Sequence, residues 1–144
     1  MASKKIQLKI ISPERVVFDE TVDHVVLPSL AGEIDILPGH TQLMSALGIG
    51  PVVVFNEGVE SHLAIGSGYG EVKDDVVTVL AETAERADEI DEERAQAARN
   101  RAVAIMESKD KASEHDQALV SAALQRSMAR LKVLERFKKH RSHR

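Results

Sequence analysis

Four arginines are the side chains whose type and spacing could do chemistry in this sequence. Arg94 and Arg101 lie seven residues apart, which places them on one face of a helix. Arg126 and Arg130 lie four residues apart in a later helical stretch. If the two stretches fold back antiparallel, both pairs could converge on one anion. Guanidinium groups bind phosphate through paired hydrogen bonds, so a phosphate ligand is the chemistry that this pattern allows.

Two carboxylates could take part in the same site as these arginines. Asp91 could accept a hydrogen bond from an adenine amino group, and Glu85 precedes it by six residues. The same residues are also typical of solvated helix faces, on which surface salt bridges contribute little stability. Spacing alone leaves both interpretations open.

Other site classes lack a matching pattern. The six histidines, His24, His40, His62, His115, His140 and His143, show no zinc-like spacing. The sequence has no cysteine, which excludes disulfides, thiolate metal sites and a cysteine nucleophile. It has neither a GxSxG elbow nor a Walker loop, and the glycine cluster Gly66–Gly70 is typical of a turn. We therefore expect no catalysis and no metal.

The composition disfavours some classes of binding partner. No apolar run of the 144 residues approaches the roughly 18–20 that span a membrane, and no apolar leader follows Met1–Lys5. We expect a soluble protein, or one held at a membrane by another protein. Residues 126–144 are basic, but the pI of about 5.9 and the scarcity of aromatic residues disfavour nucleic acid. The basic tail either complements its helix dipole or meets an acidic protein surface.

The chain changes character between Glu82 and Ala95. Apolar residues recur every second position before this stretch and every three or four after it, as in strands and helices respectively. Residues 1–87 carry six Lys and Arg against thirteen Asp and Glu, and residues 88–144 carry thirteen against ten. We predict two domains, an acidic β unit at 1–87 and a mildly basic α unit at 88–144.

The pattern of residues 1–87 predicts many short strands. Alternation begins with Ile6, Leu8 and Ile10, and there are eight or more short strands in all, with turns every 6–12 residues. Asn56–Gly58 and Asp74–Asp75 are expected hairpin turns, and Pro28 is expected to stop a strand. This pattern predicts an antiparallel β-sandwich or flattened barrel, and hence a mixed fold of β followed by α.

The pattern of residues 88–144 predicts a helical hairpin. Asp91–Glu93 supply negative charge to a first helical turn, a polar gap spans 107–112, and 113–116 resemble a capping box that restarts a helix. The apolar positions are Ala95, Ala98, Ala102 and Ile105 in the first helix, and Val120, Leu124, Ser127, Leu131 and Leu134 in the second. Alanines bury little apolar area, so we expect the hairpin to be stable only when it packs on the β unit or on a partner. Weak packing on the β unit would permit a switch between these two arrangements.

Three ordered motifs resemble the epsilon subunits of bacterial F-type ATP synthases. They are Gly32–Leu43 (GEIDILPGHTQL), Gly68–Val72 with Val77–Ala87, and Ile90–Ala95 (IDEERA). The resemblance covers essentially the whole chain. It implies a non-catalytic rotor part whose β-sandwich binds the gamma subunit and sits on the ring of c subunits, with Glu33 and His40 in loops that face the ring. It also implies a peripheral location on the cytoplasmic face of the inner membrane, within a proton-driven complex that makes ATP.

The resemblance further implies two states of the hairpin. Folded down, it permits turnover; extended, it meets the beta and alpha subunits of the catalytic head and opposes ATP hydrolysis. No cofactor is required, but some members bind ATP as a regulatory ligand in the compact state. The residues that match their site are Glu85, Ile90, Asp91, Arg94, Ala95, Arg101, Arg126 and Arg130.

Two other classes of protein are weighed against this one. A free-standing β-sandwich adaptor could use the hairpin to bind a partner helix, and co-purification with a gamma-like coiled coil and a membrane ring separates the two cases. A small hydrolase is disfavoured, because no nucleophile and base pair is visible in the sequence.

Overall fold

The computed structural model describes residues 4–108 and 114–142. Ten strands precede a short 3-10 helix and two α-helices. The strands are β1 (Ile6–Ile11), β2 (Val16–Val22), β3 (His24–Ser29), β4 (Gly32–Ile36), β5 (Leu43–Leu47), β6 (Gly50–Asn56), β7 (Val59–Ile65), β8 (Gly68–Lys73), β9 (Val76–Ala81) and β10 (Ala84–Arg86). The 3-10 helix is Ala87–Glu89, and the α-helices are α1 (Glu92–Glu107) and α2 (Glu114–Ser142).

Alternating polarity makes these strands half-buried. In β1, Ile6, Leu8 and Ile10 are at most 1% exposed, while the intervening Gln7 and Lys9 are partly exposed. The inward side chains of all parts of the sheet form one core, which contains only residues up to Ala84. The β unit therefore has a hydrophobic core of its own, to which none of the described helical residues contributes.

The strands follow the order β10-β7-β6-β3-β5-β8-β9-β1-β2, with β4 paired to β3. All pairings are antiparallel except β1 with β9. The two ends of this path meet, because the Arg86 Nε of β10 donates to the Val17 carbonyl of β2 over 3.0 Å. The result is a nearly closed β-sandwich followed by helices, which confirms the predicted fold class.

Two predicted hairpin turns are present. Glu57 and Gly58 link β6 to β7, and Asp74 and Asp75 link β8 to β9, all four with positive φ. That geometry matches the right-handed twist of paired strands. Asp75 tolerates it without glycine, and its carboxylate also accepts a hydrogen bond from the Gly39 amide over 2.7 Å.

The expectation that Pro28 stops a strand is wrong. Pro28 lies inside β3, opposite Glu33 of β4. On its other edge β3 changes partner at this point, since its pairing with β6 ends at Val26 and its pairing with β5 is at Ser29. The missing amide hydrogen of proline therefore falls where no ladder bond is required.

The helices form an antiparallel pair on one face of the sheet. α1 packs on α2, and α2 packs on β6, β7 and the 3-10 helix. Asp91 is the N-cap of α1, and its carboxylate accepts from the Arg94 amide over 3.1 Å. The predicted restart at 113–116 lies partly outside the described residues, and α2 begins at Glu114. No helix among the described residues is both long and apolar enough to cross a membrane.

A second, smaller apolar cluster joins α2 to the sheet. We call it the seam. Its members are Ala64 of β7, Ala87, Ile90, and Val133, Leu134 and Phe137 of α2. Because the seam shares no residue with the core of the sheet, the helices rest on the sandwich from outside.

Candidate functional site

A crevice of about 420 Å³ opens where the two helices meet the end of the sheet. Its walls come from β10, the 3-10 helix, α1 and α2. Its lining residues are Glu85, Glu89, Asp91, Arg94, Ala95, Ala98, Arg101 and Arg130. The volume lies within the range of small-molecule sites, roughly 300–1,000 Å³. Because both helices and the sheet contribute walls, the crevice exists only while the hairpin is docked.

Two of the crevice's carboxylates already have cationic partners. Arg130 of α2 donates through Nε to Glu85 of β10 over 2.8 Å, and both side chains are about 70% buried. The Arg15 guanidinium donates to both oxygens of Glu89, over 3.0 and 2.7 Å. Hydrogen bonding by Arg15 lowers the pKa of Glu89 below its ordinary value, since it stabilises the carboxylate.

The remaining arginines give the crevice its binding chemistry. Within residues 4–108 and 114–142, the guanidinium groups of Arg94 and Arg101 make neither a hydrogen bond nor an ion pair. Small Ala95 and Ala98 leave room between them. Since Glu85 and Glu89 are engaged, these two side chains offer positive charge and planar donors to an anion.

Six of the eight residues predicted to form one site line this crevice, and two do not. Arg126 lies one helical turn from Arg130 and lines a small adjoining space of about 10 Å³, which Glu85 and Arg130 of the crevice also border. Ile90 is buried in the seam, at the position before the N-cap where an apolar side chain fixes the entry of a helix.

The two residues predicted to face a partner ring lie in different settings. Glu33 is the second residue of β4, paired opposite Pro28, so its placement in a loop was wrong. It borders an open groove shared with Arg136 and His140 of α2. His40 does lie in the loop between β4 and β5, where its Nδ1 is 2.8 Å from the Thr41 carbonyl oxygen.

Sequence patterns missed Glu89 and its partner Arg15, which are 74 residues apart. They also missed a cluster beneath the end of α2, formed by Glu60, His62 and His140. Residues His62 to Ile65 of β7 are all buried, so strand alternation gave no signal for His62, which lies on the face of β7 that α2 covers. Among the described residues, no group of three or more His, Asp or Glu could hold a metal ion.

The fold and the crevice together define a class of small two-part proteins, a β-sandwich carrying a helical hairpin. The same fold occurs in a solved structure of Euglena gracilis mitochondrial ATP synthase that comprises OSCP, F1 and the c-ring. The two chains superpose with a TM-score of 0.67 at 24% identity, over 94% of this chain and 80% of that one.

Sequence comparison then gives the family. Residues 5–87 match the ATP synthase, Delta/Epsilon chain, beta-sandwich domain, and residues 88–135 match the long alpha-helix domain of the same chains. The ATP synthase epsilon chain of Desulforamulus reducens is 48% identical over 100 residues, which are 69% of this chain and 76% of that one. The epsilon chain of Geotalea uraniireducens is 45% identical over 100 residues, 69% and 72% of the two chains. The chain belongs to the ATP synthase delta/epsilon family, which confirms the resemblance.

The half-buried pair of Glu85 and Arg130 yields a stability prediction. Glu85→Gln removes a charged acceptor that joins α2 to β10, so the free energy of unfolding should fall by about 1 kcal/mol. Urea denaturation followed by circular dichroism measures it. Glu135→Gln is the matched control, because Glu135 is exposed and its Lys139 partner lies 3.9 Å away. Equal effects of the two substitutions would contradict the prediction.

Proposed function

We propose that this chain is a non-catalytic rotor subunit of a proton-driven ATP synthase. Its β-sandwich binds the gamma subunit and the c-ring, and its helical hairpin regulates ATP hydrolysis. The observation that carries the regulatory part is the separation of the two apolar clusters. A helical pair that shares no core with the sandwich can leave it without unfolding it.

An exposed apolar patch supports the docking of gamma. Met44, Tyr69 and Leu80 lie on the neighbouring strands β5, β8 and β9, and are 70%, 63% and 53% exposed. Tyr69 is aligned with Ala46 on one side and Leu80 on the other. Contiguous exposed apolar surface of this kind marks protein interfaces, and α2 occupies other strands, β6 and β7.

Tyr69→Glu should weaken the complex with the gamma subunit at least about tenfold, because docking would bury an unpaired charge. Surface plasmon resonance with immobilised gamma measures the affinity. Val59→Glu introduces the same charge at an exposed apolar residue, the first of β7, and should leave the affinity unchanged. An unaltered affinity of Tyr69→Glu would remove the patch from the interface.

The crevice supports the proposal that a ligand regulates the hairpin. Arginines from both helices surround it, so an anion held there ties α1 and α2 to each other and to the sheet. We propose ATP as that ligand, with Arg94, Arg101 and Arg130 on its phosphates and Asp91 near its base. A ligand that binds only the compact state stabilises it by about 2.7 kcal/mol at a hundredfold excess over Kd, enough to shift a weakly docked hairpin.

Arg101→Ala should weaken ATP binding about tenfold or more, since a charge-assisted hydrogen bond contributes roughly 1.5–3 kcal/mol. Arg99→Ala is the matched control, because Arg99 lies on the same helix and does not line the crevice. Isothermal titration calorimetry on the whole chain measures both affinities.

Arg126→Ala should also weaken ATP binding, through displacement of the adjacent Arg130, and by less than Arg101→Ala. Equal affinities of all three variants, or no binding by the parent chain, would reject the crevice as an ATP site.

The extended hairpin is proposed to reach the beta and alpha subunits. In the compact state Lys138 pairs with Glu92 and Arg130 pairs with Glu85, so two cations of α2 already have acidic partners. An acidic surface on the catalytic head could replace these partners. The complex would place the chain peripherally, on the cytoplasmic face of the inner membrane.

Truncation after Ala87 should leave assembly and coupling largely intact and raise ATP hydrolysis several-fold, because the core of the sheet ends at Ala84. Hydrolysis and proton pumping by reconstituted complexes measure the two effects. Circular dichroism of the shortened chain checks that the sheet is folded. Unchanged hydrolysis with a folded truncated chain would show that the hairpin does not inhibit.

A further inference from the structure

A buried histidine without hydrogen bonds lies beneath the last turns of α2. His62 of β7 is 6% exposed, and neither of its ring nitrogens has a hydrogen-bond partner among the described residues. Its Nε2 lies 4.0 Å from Glu60 Oε2. An unpartnered polar group in such a position is costly, so this residue is not explained by packing.

His140 of α2 completes the cluster. Its Nδ1 lies 3.4 Å from the same Glu60 oxygen, and its Nε2 is buried without a hydrogen-bond partner among the described residues. The two imidazole rings are 6.4 Å apart and edge-on. One carboxylate oxygen thus faces two imidazoles, one from the sheet and one from the helix that rests on it.

The other charged groups around the cluster are mostly cations. Arg136 and Lys139 come from α2, and Glu33 of β4 borders the same groove. On the opposite side lie Arg86, Asp88 and Arg141. Lys139 lies near Glu135, and Arg86 donates to the Val17 carbonyl. A proton gained by His62 therefore meets mostly positive surroundings, with Glu60 as its nearest compensating charge.

We propose that His62, Glu60 and His140 form a pH-sensitive latch, which holds α2 on the sheet while the buried imidazole of His62 is neutral and releases it when that imidazole is protonated. Undocking exposes His62 to water, which can solvate the imidazolium. Docking denies it that water and supplies one shared carboxylate. Protonation therefore favours the released helix.

The pKa of His62 has the matching direction. Burial lowers it below the ordinary value of 6.5, Arg136 and His140 lower it further, and Glu60 opposes them. Since the docked state binds the proton less well than the released state, docking is fully stable above pH 6.5 and weakens as pH falls below it. One proton changes the docking constant by at most about tenfold per pH unit, so about tenfold is the largest loss between pH 7.5 and 5.5.

The test uses the whole chain without nucleotide. The chain has no cysteine, so Glu20→Cys on β2 and Lys132→Cys on α2 carry two fluorophores at exposed positions. Energy transfer followed through a urea titration gives the docking constant at each pH. We expect a several-fold weaker docking constant at pH 5.5 than at pH 7.5, and His62→Leu should abolish this difference.

Two further variants make the outcome decisive. His62→Gln keeps a polar side chain without a proton to gain, and it replaces the leucine variant if that one fails to fold. His40→Gln is the matched control, because His40 lies in the loop between β4 and β5, and it should retain the parent's pH dependence. A docking constant equal at both pH values in the parent would overturn the latch, as would an unchanged pH dependence in both His62 variants.

The regulatory meaning of the latch rests on the proposed function, but its existence does not. The latch is measured on the isolated chain, whereas inhibition is measured on the assembled complex. A chain that releases α2 on acidification while its truncation leaves hydrolysis unchanged would keep the latch and reject the inhibitory role. The reverse pair of results would reject the latch alone.

Discussion

The docking of α2 on β6 and β7 through the seam is the contact on which the rest of this structure depends. The seam has six members, which are the alanines Ala64 and Ala87 and the larger Ile90, Val133, Leu134 and Phe137. Burial stabilises in proportion to apolar area, so alanines contribute little. The sheet, by contrast, has a continuous core of Ile, Leu and Val. The apolar contact that holds α2 is therefore small beside the core of the sheet.

Two polar features flank the seam and depend on it. The arginine crevice lies on one side, built from β10 and both helices, and the histidine cluster lies on the other, under the end of α2. Each is complete only when α2 is docked. A ligand in the crevice would strengthen docking, whereas a proton in the cluster would weaken it. Opposite influences on a single contact allow graded control of one equilibrium.

Sequence patterns captured what is local. The alternation in β1 and the turn at Glu57–Gly58 depend on neighbouring residues, and both are present as expected. The pairing of Arg15 with Glu89 left no such trace, because chain closure brings together residues 74 apart. Helical spacing placed Arg126 beside Arg130, but one turn displaces a side chain by about 6 Å along the axis. Only the packing of α2 decides which of the two reaches the crevice.

Family motifs located most of the residues of the crevice, yet they could not show which of its carboxylates are paired with arginines. The sequence does not reveal that the carboxylates of Glu85 and Glu89 are paired with Arg130 and Arg15.

The composition of the seam also makes separation of α2 from the sheet unfavourable. When α2 leaves, Phe137, Leu134 and Ile90 lose their cover, and water is a poor replacement. The proposed release of the helices would therefore require another apolar surface that covers these side chains.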